Sequence, residues 1–273
     1  MAPDHPTLLG ILNITEDSFS DGGRYLEPGA AKTRAAELAA GRADIIDLGA
    51  ASSKPAATPV PAEVEIARLV PVVALLKELG KPISIDSFSP AVHRWALGQG
   101  VDWLNDVRGF PEPALYPELA ASQVGLIVVH TVDGLGPAPR IHVPPETILD
   151  RVTRFFEARL EALMGAGIAS ERIVVDPGMG FFLGTATESS LLVLRNIETL
   201  KARFGRPVLI SVSRKYFLRR LAGVEVTEAG PASLAAELFA ASRGADLIRT
   251  HEPDALAGAL AVWRALAGSK GNN

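Results

Sequence analysis

The sequence contains no cysteine. Disulfides and thiolate metal sites are therefore excluded, and a reducing, cytoplasmic setting fits the composition. A surplus of positive charge is also missing: 27 Lys and Arg stand against 31 Asp and Glu, for a net charge of −4. A nucleic-acid binder would carry a basic patch or stripe, so no such partner is expected. No run approaches the roughly 18 uncharged apolar residues of a membrane-spanning helix. The opening MAPDHPTLLG has no basic stretch ahead of an apolar segment and does not read as a signal peptide. Nor does a Gly-x-Gly-x-x-Gly follow the first apolar run, which counts against an open dinucleotide-binding sheet.

What the chain does have is rhythm. Of its 273 residues 48% are hydrophobic, enough for one large core. Short runs rich in Ile, Val and Leu recur: TLLGILN, DIIDLG, PISIDS, DWLNDV, VGLIVVH, RIVVDPG, PVLISVS and DLIRTH. They are continuous rather than alternating, as strands buried on both faces of a parallel sheet should be. Between them lie Ala/Leu/Glu/Arg stretches with helical spacing, several closed by Gly. Eight strand–helix units predict a closed α/β barrel, the (β/α)8 or TIM barrel. One domain is expected over residues 1–268, with a short tail at 269–273.

The run ends carry the functional signal. They are Asn13, Asp47, Asp86, Asn105 with Asp106, His130, Asp176, Ser213 to Lys215, and Arg249 with His251. One or two such ends would read as caps of the following helix. Lys and Arg are poor N-caps, however, and in a barrel all these ends meet at one rim, where active sites form. Lys54, Arg214, Lys215, Arg249 and His251 suit a phosphate-bearing substrate. Asp86, Asn105 and Asp176 suit a flat heterocycle with N–H and C=O edges. Two long polar loops, 13–25 and 49–61, have the composition of lids over the mouth.

Several motifs also resemble those of dihydropteroate synthases. They are Asn-Ile-Thr-Glu-Asp-Ser-Phe-Ser-Asp-Gly-Gly (13–23), Asn-Asp-Val-Arg-Gly-Phe (105–110), Asp-Pro-Gly-Met-Gly-Phe (176–181), Ser-Arg-Lys (213–215) and Ile-Arg-Thr-His (248–251). Their order spans nearly the whole chain. The resemblance implies condensation of 6-hydroxymethyl-7,8-dihydropterin pyrophosphate with p-aminobenzoate, giving 7,8-dihydropteroate and pyrophosphate with the help of Mg2+. It implies that Asp86, Asn105, Asp176 and Lys215 hold the pterin, with Phe181 nearby. Asn13, Ser53, Lys54, Arg249 and His251 would hold the pyrophosphate, with Asn13 close to Mg2+. Phe19, Asp21, Ser53, Lys54, Phe182, Ser213, Arg214 and Tyr216 would surround the aminobenzoate. Asp21, Lys215, Arg249 and His251 are the catalytic candidates, with Asp21 swung in to stabilise cationic charge on the pterin methylene. The family's homodimers imply one here, and the apolar stretches 232–241 and 255–266 could supply its surface.

The chain departs from the usual family pattern at one end of the site. Gly-Glu-Ser-Thr-Arg-Pro-Gly is replaced by Ala50-Ala51-Ser52-Ser53-Lys54-Pro55-Ala56, which keeps a hydroxyl and a charge but loses the planar fork of Arg. Gly180-Phe181-Phe182-Leu183-Gly184 is altered and its segment longer, and Tyr216 stands where the family has Ser. All three fall at the aminobenzoate end, a pattern similar to that of the sulfonamide-insensitive enzymes. Weakened sulfonamide inhibition is the expectation, with Phe182 excluding bulk. Competing readings are a pterin-binding methyltransferase barrel, a Schiff-base aldolase using Lys215, and a non-catalytic pterin binder. His93 is expected at the surface or in packing and His130 near the pocket. Trp103 and Trp263 are expected in packing, and Arg219 and Arg220 at an exposed helix start.

Overall fold

The apolar runs form eight parallel strands, and the helical stretches between them form the outer layer. The structure is a computed structural model, and it describes residues 5–15, 28–53, 57–133, 138 and 140–268. The strands are β1 (Thr7–Asn13), β2 (Ile45–Gly49), β3 (Ile83–Asp86), β4 (Trp103–Asp106), β5 (Gly125–Val129), β6 (Ile173–Asp176), β7 (Leu209–Ile210) and β8 (Leu247–Thr250). The helices are α1 (Pro28–Ala40), α2 (Ala62–Glu78), α3 (Pro90–Gln99), α4 (Tyr116–Ala121), α5 (Ile148–Gly165), α6 (Thr187–Arg195), α7 (Ile197–Phe204), α8 (Tyr216–Ala222), α9 (Gly230–Ser242) and α10 (Pro253–Ala267). The expected barrel is present as a single domain, with two helices between β6 and β7 and two more between β7 and β8. The 269–273 tail lies outside the described residues.

Hydrogen-bonded order runs β6-β5-β4-β3-β2-β1-β8-β7. The ring closes between β6 and β7 through a single parallel bridge, Val175 to Val208, with Val175 N–H donating to Pro207 O at 3.0 Å. β7 is short because the chain leaves the sheet after Ile210 to form the turn that carries Ser213 to Lys215.

Two apolar layers hold the barrel. Inside, Leu9, Ile45, Ile127, Val129, Val174, Leu209 and Leu247 fill the strand cylinder, with Trp103 packed against them. Gly125 is dictated by that tryptophan, since a Cβ there would stand 2.3 Å from the Trp103 ring. Outside, alternate strand residues such as Leu8, Ile46, Leu104 and Leu126 pack on helical Leu38, Leu69, Leu76 and Phe156. Each such side chain contributes about 1.5–3 kcal/mol by leaving water.

Some expectations change. Trp263 is not a packing residue: it is 47% exposed on α10 beside Val262 and Leu266. Arg219 and Arg220 sit in the last turn of α8 rather than at a helix start. His93, by contrast, is in packing, one of its two expected places: it is buried, with Nε2 2.8 Å from Ser87 O and its ring against Phe110.

Candidate active site

The C-terminal ends of the strands open into a cavity of about 490 Å3. Asn13, Asp86 and Arg249 line it directly from strands, Ser53, Phe181, Phe182, Ser213 to Lys215 and His251 line it from the turns beyond, and Tyr216 lines it from the start of α8. Arg219 reaches the same cavity from α8. Asn105 and Asp176 are 3% and 4% exposed and lie one layer behind this wall.

Arg249 ties three strands together. Its Nε donates to Asp47 Oδ2 at 2.5 Å and one terminal nitrogen to Asp86 Oδ2 at 2.6 Å. Asp47 is fully buried, and the Arg249 and Asp86 side chains are about 15% exposed. In the parallel register Asp47 pairs with Ser84 and Arg249 with Leu9, while Ile11 pairs with Asp47, so the three groups step by two residues from strand to strand and share one face. Burial pushes the Asp86 carboxyl up to about 7, while Arg249 pulls it down and the charge of Asp47 pushes it up. The carboxylates around Arg249 hold it protonated against the cost of burial. Asn105 donates weakly to both Asp47 oxygens, at 3.4 and 3.5 Å, while its Oδ1 is buried without a hydrogen-bond partner among the described residues. A buried acceptor left open beside a cavity suits a donor on a ligand.

Asp176 and Lys215 act on each other electrostatically without forming an ion pair. Burial raises Asp176 to about 6, opposed by the Gly178 N–H at 2.8 Å and by the charge of Lys215. Burial lowers Lys215 to about 8, opposed by Asp176. Gly178 has φ +73°, and a Cβ there would lie 2.4 Å from His130 O, so the turn that feeds Asp176 its hydrogen bond needs glycine. His130 braces the same turn from behind, with Nδ1 3.1 Å from Pro177 O and its edge on Phe155. Burial lowers it to about 4, so it is neutral and stands outside the cavity wall.

Aromatic rings build the outer part of the cavity. Phe181 and Tyr216 stack with centroids 4.0 Å apart and planes 13° from parallel. Tyr216 Oη donates to Gly184 O at 3.0 Å, which pins both ends of the Gly180–Leu183 turn to α8. Phe182 points inward among Val107, Ala138 and Phe88, and Lys215 Nζ lies 4.8 Å from its ring centroid. Ala138 N–H donates to Ser53 O at 2.8 Å, so the second long loop is fastened where it is described.

Ser213 serves His251: its Oγ lies 2.9 Å from His251 Nδ1 and accepts from the His251 backbone N–H at 3.2 Å. Arg214 has φ +57°, a left-handed conformation held by its N–H to Ser233 Oγ at 2.8 Å. Its guanidinium pairs with Glu252 at 2.8 Å on the cavity rim.

Phe19, Asp21 and Lys54 fall outside the described residues. Sequence reasoning passed over Asp47 as a member of the site, although it was one of the polar run ends. It also missed two buried glutamates, Glu65 and Glu237, for which a lone acid on an apolar helix face was the available signal. Among the described residues no group of three or more His, Asp or Glu could hold a metal. A Cβ on Gly49 would stand 3.3 Å from Asn13 Oδ1 and 3.6 Å from Asp86 Oδ2, so two hard oxygens face one bare patch of backbone. That suits Mg2+, which keeps its waters and takes substrate phosphates rather than an all-protein cage.

The family of pterin binding enzymes matches residues 9–251. Dihydropteroate synthase type-2 of Escherichia coli is 55% identical over 259 residues, covering 95% of either chain. The Xanthomonas albilineans dihydropteroate synthase with 4-aminobenzoic acid superposes with a TM-score of 0.87 at 36% identity, covering 97% of this chain and 94% of that one. The same enzyme in complex with 7,8-dihydropteroate gives 0.83 at 35% identity, with 97% and 95% covered.

Proposed function

The chain belongs to the pterin binding enzymes and, among them, to the dihydropteroate synthases, and from that premise we infer how its residues divide the work. The reaction joins 6-hydroxymethyl-7,8-dihydropterin pyrophosphate to p-aminobenzoate and releases pyrophosphate. The observation that carries the assignment of roles is the company each group keeps: Asp47 and Asp86 share Arg249 at the strand ends, Asn105 Oδ1 stands open beside Asp47, and Phe181 stacks on Tyr216 beyond the strands.

Asp176, as carboxylate, accepts from the guanidine-like edge of the pterin, and Asn105 Oδ1 takes a further ring N–H. Lys215 and Asp86 complete the pterin seat. Arg249, His251, Asn13 and Ser53 face the pyrophosphate, with Lys54 joining from the second loop. Asn13 beside Asp86 would hold Mg2+ bound to the pyrophosphate, and the ion would neutralise the leaving group's charge. Arg249 shares that task as negative charge grows on the departing oxygen. The amine of p-aminobenzoate attacks the pterin methylene, Asp21 stabilises the cationic charge there, and a closed first loop keeps water away. Phe19, Phe182, Ser213, Arg214 and Tyr216 bound the aminobenzoate.

Reduced sulfonamide sensitivity belongs to the same reading. The Phe181–Tyr216 stack, tied to Gly184, stiffens the mouth, so a ligand bulkier than aminobenzoate meets rings that cannot yield. The chain would act in the cytoplasm as a homodimer, through the exposed Val262, Trp263 and Leu266 of α10 and Phe239 of α9. Among the described residues no helix is long and apolar enough to cross a membrane.

Purified protein given the pterin pyrophosphate, Mg2+ and p-aminobenzoate should form 7,8-dihydropteroate, with only weak inhibition by sulfamethoxazole. Absence of product sinks the assignment of chemistry. Inhibition as potent as in ordinary enzymes sinks the part given to the aromatic stack.

A further inference from the structure

An arginine that belongs to none of the motifs reaches the cavity. Arg140 lies on the connection between β5 and α5, is exposed, and lines the cavity wall. An exposed arginine normally gives up much side-chain freedom to hold a ligand, but here the backbone on either side is fastened. Two residues before it, Ala138 N–H donates to Ser53 O at 2.8 Å. One residue after it, Ile141 O accepts from Thr185 N–H at 2.9 Å. The segment is thereby strapped to the second long loop on one side and to the stretch beyond the Gly180–Leu183 turn on the other.

The side chain also has a platform. Arg140 Cζ stands 5.5 Å from the centroid of the Phe181 ring, close enough for the ring face to attract a cation. Phe181 is itself stacked on Tyr216, whose hydroxyl is tied to Gly184 O. The guanidinium lies over the ring and makes no ion pair among the described residues. Glu225 lines the same cavity without pairing with it, and Glu252 is taken by Arg214. Arg249 is already bonded to Asp47 and Asp86. A planar fork of N–H donors, permanently charged, seated on a ring and left open on a cavity wall matches a carboxylate.

We propose that Arg140 is a specificity-determining residue that binds the carboxylate of the aromatic amine and makes that charge a condition of admission. The inference rests on the function proposed above, which supplies the amine. Of the groups given there to the aminobenzoate, the one cation, Arg214, already has an acid partner, so the negative end of that substrate needs another.

The test compares p-aminobenzoate with p-aminobenzamide, its neutral isostere, as substrates of wild type and Arg140→Gln. KM for the acid should rise about 10-fold in Arg140→Gln, the loss of a charge-assisted hydrogen bond. KM for the amide and for the pterin pyrophosphate should stay near wild type, and kcat should move less than KM. Arg140→Lys, which keeps the charge without the fork, should recover part of the preference for the acid. Equal rises for acid and amide, or a rise confined to the pterin pyrophosphate, overturn the proposal. The acid-to-amide ratio is taken within each protein, so a variant of lowered stability still decides the question. Failure of wild type to form product with p-aminobenzoate sinks the proposed function and this inference together, whereas normal turnover with an unchanged acid-to-amide ratio in Arg140→Gln sinks the role of Arg140 alone.

Discussion

The two ends of the cavity are built by different means. At the deep end Asp47, Asp86, Asn105 and Arg249 sit on strands whose neighbours are hydrogen-bonded residue by residue, so each is fixed by register. At the mouth Phe181, Phe182 and Tyr216 sit on a turn and a helix start, held by one stack, one tyrosine hydrogen bond and a lysine over a ring. The departures from the usual family pattern fall at the second end. A site can therefore keep its chemistry on strands while its admission rules change on loops, because loop substitutions do not disturb ladder register.

The largest expected effect comes from attacking the strand end. Arg249→Met leaves Asp47 and Asp86 buried without their shared cation, and removal of one partner of a buried pair costs about 3–5 kcal/mol. A urea melt should show that loss, and kcat/KM should fall by at least ~100-fold. If both stay near wild type, the deep end is not the rigid half.

Next comes pH. Asp176 and Asp86 bind their protons more tightly folded than unfolded, to about 6 and about 7 against 3.8. The stability they contribute is therefore complete below 3.8 and is lost as pH rises through 6 to 7. On the proposed function activity has the opposite sign, since a pterin edge would be bound by the carboxylate. kcat/KM followed from about pH 5 to about pH 9 should have an acid limb near 6 to 7 and an alkaline limb near 8, where Lys215 loses its charge. The melting temperature should meanwhile rise on acidification, and Asp176→Asn should flatten part of both trends.

At the mouth, Tyr216→Ser with Phe181→Ala should raise sulfamethoxazole affinity about 10-fold while stability falls only modestly. A double-mutant cycle should give about 0.5–1.5 kcal/mol for the stacked pair. An unchanged inhibition constant would separate drug exclusion from the stack. The smallest change is expected from Arg214→Gly. Glycine relieves the positive φ but loses the Glu252 pair, and the two terms nearly cancel, so the denaturation midpoint should move little.

The barrel was legible because buried parallel strands leave continuous apolar runs, and their polar ends could be read as one rim without knowing any contact. Asp47 was visible as such an end, but its bond to Arg249 spans 202 residues of sequence and depends on register that no local pattern carries. Glu237 depends on which face of α9 turns inward, and one acid in an apolar helix does not reveal that. Trp263 misled for the opposite reason: a large ring in an apolar helix reads as core until its face is known.

The seam between β6 and β7 has a mechanical meaning. Seven of the eight joints around the barrel are ladders, and the eighth is the single Val175–Val208 bridge. Asp176 ends the strand on one side of that split ring, and Lys215 stands on the turn that continues the other. A bicyclic ligand gripped by both would act as a clasp, so the protein's hoop would be finished by the molecule it holds.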